Sequence, residues 1–409
     1  MTNAVVNAVL LDRDGLWTVR LADRQIAAID AQSESVEPAV DEIDAGGGLA
    51  VSALVDAHLH LDLAYSLELV PENKSGTLRE AIELWSRAKA ELPPENVRER
   101  AVRAIRDEVG FGTGYIRSHV DVGSAADLRL CEGVLAAREA TSEICTVQLV
   151  AFPQDGLIRD PGAVGLVREA MRIGVGLVGG IPHIERTPPE GLRHLEQVFD
   201  LAAECDADID VHVDETDDPA SMYTEHLAAL TIERRWQGRV TASHVCALSS
   251  YSDVHAARVI DLLAEARISV VTNPGVNLHL QGRFDRYPKR RGLTRVSELL
   301  ARGVACGAGQ DCIKDPFYPL GNGRMLDQAF LLVHADHLGL PHQIRQAFDM
   351  VCGMAGRLTK QNLSGLAVGA PASITVFELG DVAELVRLRP SPLAVLHEGR
   401  LVAGTCAAG

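Results

Sequence analysis

Ala53-Leu54-Val55-Asp56-Ala57-His58-Leu59-His60 is the stretch that decides the fold. It is a short apolar run closing in polar residues, the pattern of a strand buried on both faces in a parallel sheet. Seven runs of the same kind follow: Gly114–Asp121, Thr146–Gln154, Val175–Pro182, Ala207–Glu215, Arg239–His244, Ile268–Asn273 and Val304–Asp311. Stretches of helical spacing lie between them, such as Val164–Ile173 and Leu192–Ala203. Eight strand–helix units predict an α/β fold, a (β/α)₈ barrel over residues 51–364. That span exceeds the usual barrel length of about 250 residues, so the loops are expected to be enlarged. The flanks read differently. Trp17–Leu21, Gln25–Ile29, Ser373–Phe377, Ala394–Leu396 and Arg400–Val402 look like short strands. Residues 1–50 and 365–409 are therefore expected to pair into a small β-sandwich beside the barrel.

In such barrels the chemistry sits at the C-terminal ends of the strands. Here those ends hold His58, His60, Gln154, His212, Glu215, His244 and Asp311. Side chains alternate along a strand, so His58 and His60 point the same way and make half of a site for zinc or iron(II). A lone HxH pair also arises by chance. His212 and Asp311 close two other strands and complete an N₃O set, and its carboxylate favours a catalytic ion over a structural one. His244 is either a further ligand or the partner of the water held there, and the second role is the expectation. Glu215, three residues past His212, is a candidate proton carrier. An isolated Glu is more often a solvated loop residue, but a strand-end His so close weakens that reading. His119 and His183 are expected in supporting or structural roles. His226, His255, His334, His337 and His342 read as surface or satisfied core residues. His279 is balanced between loop structure and the pocket wall.

The composition excludes several partners. A formal net charge of -17 repels phosphate backbones, so nucleic acid is not expected. The chain lacks an apolar run long enough to span a membrane. Met1-Thr2-Asn3-Ala4 does not start a secretory signal pattern, and the eight cysteines are scattered without a CxxC pair. The expectation is a cytoplasmic enzyme with reduced thiols.

Longer motifs carry a family resemblance through nearly the whole chain. They are HLHLD (58–62), NKSGTL (73–78), SHVDV (118–122), VAFPQ (150–154), IPHIE (181–185), HVDETDD (212–218), TASH (241–244), NLHLQGRFDRYPKRRG (277–292) and GQDCIKDPFYPLG (309–321). The chain resembles the amidohydrolase superfamily, and within it the cytosine deaminase branch. The resemblance implies one divalent ion, Zn²⁺ or Fe²⁺, held by His58, His60, His212 and Asp311. It implies that His244 orients the attacking water, that Glu215 shuttles protons, and that Asp311 or His244 takes up the water's proton. It also implies that Gln154 reads an amide-like ring edge and that Leu78 lines the pocket. The partner implied is a small heterocycle that loses an amino group, and the assembly implied is a homo-oligomer.

Two positions depart from the branch. Its His-Asp-Asp pattern at strand eight is Gln310-Asp311-Cys312 here, and Phe317 stands where the branch has Trp. A pocket that loses a carboxylate and gains room should not hold the same ring edge equally well. Isocytosine, a substituted cytosine, a creatinine-like ring or an aminotriazine then compete with cytosine. The chain is also similar to aminotriazine hydrolases of the N-isopropylammelide amidohydrolase type, sharing GNG at 321–323, but those lack Glu at the position of Glu215. A non-catalytic metal-binding sensor on the same fold is the reading from another class. The small zinc deaminase fold needs HxE followed by PCxxC, which this chain lacks.

Overall fold

The computed structural model describes residues 2–404. Five strands come first: β1 (Ala4–Leu10), β2 (Arg13–Ala22), β3 (Gln25–Gln32), β4 (Glu42–Asp44) and β5 (Leu49–Ser52). Eight form the central sheet: β6 (Leu54–Leu59), β7 (Thr113–Asp121), β8 (Thr146–Phe152), β9 (Leu177–Gly180), β10 (Asp208–Val213), β11 (Val240–His244), β12 (Ser269–Thr272) and β13 (Cys306–Ala308). Three more follow: β14 (Ile374–Val376), β15 (Ala394–His397) and β16 (Arg400–Gly404).

The eight central strands pair parallel in sequence order, as the eight apolar runs predict. Ring closure between β13 and β6 rests on a backbone seam past the end of β13. The Asp311 N–H donates to the His58 carbonyl at 2.7 Å, and the His60 N–H donates to the Asp311 carbonyl at 2.9 Å. Strands β10 and β13 stop two or three residues short of the expected Glu215 and Asp311. At β10 the reason is local, since Asp214 takes a left-handed backbone angle (φ 51°) that ends the ladder; β13 stops at Ala308 and resumes as the single bridge at Asp311 (φ 66°). Gly309 makes the seam possible, since a Cβ there would sit 2.5 Å from the His58 Cβ.

The other strands form a second sheet in the order β16-β15-β14-β5-β1-β2-β3, with β4 on β1, so both ends of the chain meet as expected. The expected boundary between residues 50 and 51 falls inside β5, and alternation explains why. Ala50, Ala394 and Leu396 turn into a small core that the second sheet keeps to itself. Leu49, Val51 and Val395 turn the other way, into the barrel's core. The seven cysteines among the described residues are all free; Cys406 lies outside them. No helix of the described residues is long and apolar enough to cross a membrane.

Candidate metal centre and reaction chamber

The seam that closes the barrel also assembles the site. Backbone pairing of Asp311 with His58 and His60 carries its carboxylate to their rings. Asp311 Oδ1 lies 3.5 Å from His58 Nε2 and 3.4 Å from His60 Nε2. His212, from the end of β10, turns its Nε2 to within 3.0 Å of His60 Nε2. One donor atom from each of His58, His60, His212 and Asp311 lies within 4.8 Å of the others, and all four residues are buried.

The set fits a divalent ion. Ligands held about 2.0–2.1 Å from one tetrahedral ion stand about 3.4 Å apart, close to the separations seen here. His58 Nε2 is buried and has no hydrogen-bond partner among the described residues. Burial drives the His60 and His212 rings well below the usual imidazole range, so they are neutral and able to ligate. Burial alone would raise the Asp311 carboxyl. The facing imidazoles of His244 and His58 outweigh it and hold the group ionised, below the usual range.

The outer partner of His58 fixes its tautomer. Ser243 Oγ donates its one hydrogen to Asp210 Oδ1 at 2.8 Å, so it must accept from His58 Nδ1 at 3.0 Å. His58 Nδ1 thereby carries a hydrogen, which leaves Nε2 as the ring nitrogen that can face an ion. Asp210 is held in turn by Arg117 Nη1 at 2.9 Å, and His119 Nε2 lies 3.3 Å from its other oxygen. His119 thus takes the supporting place expected of it. Ser243→Ala should weaken metal binding about 10- to 100-fold in a chelator-competition titration. An unchanged affinity would remove Ser243 from the relay.

His244 ends β11 in a left-handed conformation (φ 72°), an uncommon state for a non-glycine residue that recurs at functional sites. Asn277 Nδ2 donates to its Nδ1 at 3.0 Å. That leaves the ring proton on Nε2, which faces Asp311 Oδ2 at 3.9 Å. Burial takes the ring down to about 3, so it stays neutral. On its other side, Glu215 Oε1 lies 3.7 Å from His244 Nδ1. Burial, and then the charge of Asp311, push the Glu215 carboxyl well above its usual range, which favours its protonated form.

Above the centre is a narrow chamber of about 20 Å³, room for about one water. Gln154, Leu78, Cys312 and Phe317 line it together with His60, His212, Glu215 and Asp311, while His58 and His244 lie outside the lining. The Gln154 Oε1 is buried without a partner among the described residues. Burial and the neighbouring Asp315 and Asp311 charges keep the Cys312 thiol protonated. Through Leu78, Ile82, Glu215 and Leu280 the chamber adjoins an outer cavity of about 720 Å³, which His183 lines. His279 is absent from both linings and lies against Tyr318, with ring centroids 5.3 Å apart. Sequence reasoning missed Phe152, which stacks on His212 with centroids 4.1 Å apart. It also missed the apolar walls Ile82 and Leu280, which carry no signal beyond ordinary helix hydrophobicity.

Comparison with known proteins agrees with this geometry. The model of the Amidohydrolase family matches residues 72–403. The chain is similar to a pterin deaminase of Rhizobium rhizogenes, 30% identical over 98% of this chain and 93% of that one. It is similar to an N-isopropylammelide isopropyl amidohydrolase of Pseudomonas sp., 29% identical over 97% and 96%. Among solved structures, a 5-methylcytosine deaminase from Klebsiella pneumoniae liganded with 5-fluorocytosine superposes with a TM-score of 0.95, at 36% identity over 99% of this chain and 98% of that one.

Proposed function

The chain belongs to the amidohydrolase family and is a hydrolytic deaminase of heterocycles, and within that class we propose that it removes the amino group of a cytosine substituted at C5. The observation that carries the chemistry is the pairing, across one buried chamber, of an N₃O ligand set whose one carboxylate is ionised with a second carboxyl, Glu215, that burial pushes toward its protonated form. His58, His60, His212 and Asp311 would hold the ion. When bound, zinc or iron(II) supplies Lewis acidity and brings the pKa of water toward about 7.

The side chains do the rest. The Nε2–H of His244 orients the water that adds to the amino-bearing carbon. Asp311 takes the water's proton, because it is ionised while His244 already carries a proton on Nε2. Glu215 gives its proton to the adjacent ring nitrogen, then relays one to the departing amine, and ammonia leaves as the carbonyl forms. Gln154, buried with an unpaired oxygen, pairs with the lactam edge of the ring.

The substrate assignment rests on Cys312 and Phe317. Cytosine's C5 neighbours the amino-bearing C4, so the residue beside Asp311 faces that edge. A small neutral thiol in place of a carboxylate gives up a charged acceptor there and leaves room for a methyl group. The similarity to a 5-methylcytosine deaminase supports the same choice. The test is release of ammonia by zinc- or iron-loaded protein from cytosine, 5-methylcytosine, isocytosine, pterin and N-isopropylammelide. Metal bound without ammonia from any ring, or isopropylamine as the only product, would overturn the reading. Cys312→Asp should raise the cytosine to 5-methylcytosine ratio of kcat/KM at least about tenfold. An unchanged ratio would show that position 312 does not select the ring.

A further inference from the structure

Lys89 is fully buried, yet it lies outside the metal centre and takes no part in the chemistry above. Its Nζ lies 2.6 Å from Asp121 Oδ2 and 2.6 Å from Asp155 Oδ2. Burial alone would lower its pKa, but the two carboxylates outweigh that and keep it charged. The acceptors stand at revealing places. Asp121 is the last residue of β7, and its backbone N–H donates to Asp62 Oδ2, just past His60 at the end of β6. Asp155 follows Gln154 in the loop after β8. The ammonium therefore ties together the C-terminal ends of β7 and β8, and the Asp121 backbone N–H carries the link on to the end of β6.

Lys89 also ends the helix Leu78–Ala88, whose Leu78 and Ile82 wall both the chamber and the outer cavity. Ser86, one turn back, donates to Asp155 Oδ1 at 2.9 Å and adds a second tether at the same end. At the other end the support is mostly local: the Thr77 side chain accepts from the Glu80 N–H, Glu80 reaches back to the N–H groups of Lys74 and Ser75, and the one distant link is Asn73 Nδ2, which donates to the Thr77 and Pro316 carbonyls at 3.2 and 3.4 Å. A buried ion pair adds little stability over an apolar replacement and is better understood as fixing register. The chamber above the metal ligands is too small for a six-membered ring as it stands. Admitting one requires Leu78 and Ile82 to give way about the tethered end.

We infer that Lys89 is a positioning residue, seating the helix Leu78–Ala88 on the strand ends so that Leu78 and Ile82 close to a set distance over the substrate ring. The inference rests on the chamber being the substrate's place. Its experiment therefore begins with metal content and ammonia release in the unaltered enzyme, so that failure of the deaminase reading shows there first. Lys89→Met alone leaves the buried Asp121 and the half-buried Asp155 carboxylates without their cation. The informative variant is Lys89→Met with Asp121→Asn and Asp155→Asn. The triple variant should bind metal normally and melt within a few degrees of the parent. Its KM for 5-methylcytosine should rise about tenfold or more with kcat changed far less, and its discrimination between 5-methylcytosine and cytosine should narrow. A folded triple variant with unchanged KM and unchanged discrimination would overturn the proposal. Hydrogen exchange on the unaltered holoenzyme decides the matter if the triple variant does not fold. Amides of residues 85–88 should be protected like those of β7. Exchange at the rate of an untethered surface helix would refute the tether.

Discussion

Glu215→Gln is expected to keep its metal and to lose about 10²–10⁴-fold in kcat, the usual contribution of a positioned proton donor. The substitution suits this site because burial beside Asp311 favours the protonated form of Glu215. A glutamine of nearly the same shape replaces a neutral acid with a neutral amide, so the local charge and packing change little. What it removes is the acid that protonates the ring nitrogen and the carboxylate that then passes a second proton, from the added water, to the leaving amine. KM should move much less than kcat. Ammonia-release kinetics with metal analysis on the same preparation check both halves, and turnover within about threefold of the parent would strip Glu215 of its role.

Asp311→Ala should have the second large effect, and it should fail differently. Its carboxylate is the only acidic donor of the four, set against three imidazoles. Removing a mere outer partner of a metal ligand costs about 10–100-fold in affinity. Loss of the one charged ligand should exceed that, and added zinc should not restore turnover, because the proton acceptor goes with the ligand. The barrel seam should survive, since it is made by the backbone of residue 311 and not by its side chain. Loss of metal with near-native melting is the expected signature. A variant that still holds the ion tightly would show that the three imidazoles suffice.

Much of this was legible in the sequence because parallel barrel strands are buried on both faces. Apolar runs such as Leu54–Leu59 stand out for that reason, and the first polar residues after them mark the mouth of the barrel. His58, His60, His212, Glu215 and Asp311, the four candidate ligands and the candidate proton carrier, are among the residues this rule picks out. The supporting residues were harder, though a signal existed. Asp210 sits two residues before His212, and Arg117 two before His119, so strand alternation puts each pair on one face. What hid them is that a polar residue inside an apolar run looks like noise until its partner from another strand is known. Lys89 left a similar trace: Ala81, Trp85 and Lys89 recur every four residues on the inward stripe of one helix, where a charged residue is out of place. The dual allegiance of β5 was not legible, since a run apolar throughout does not say which neighbour each face will meet.

The seam between Asp311 and the first barrel strand also sets an order of events during synthesis. His58 and His60 leave the ribosome early, His212 much later, and Asp311 last of the four. Until that last segment arrives, the nascent chain has imidazoles but no anionic ligand, and its barrel stands open along one side. Domains commonly fold as units while still being made. On the expectation set out for Asp311→Ala, tight capture of an ion waits until the ring can shut, and a prematurely terminated chain ending before β13 would then be neither a metal sink nor a stray hydrolase.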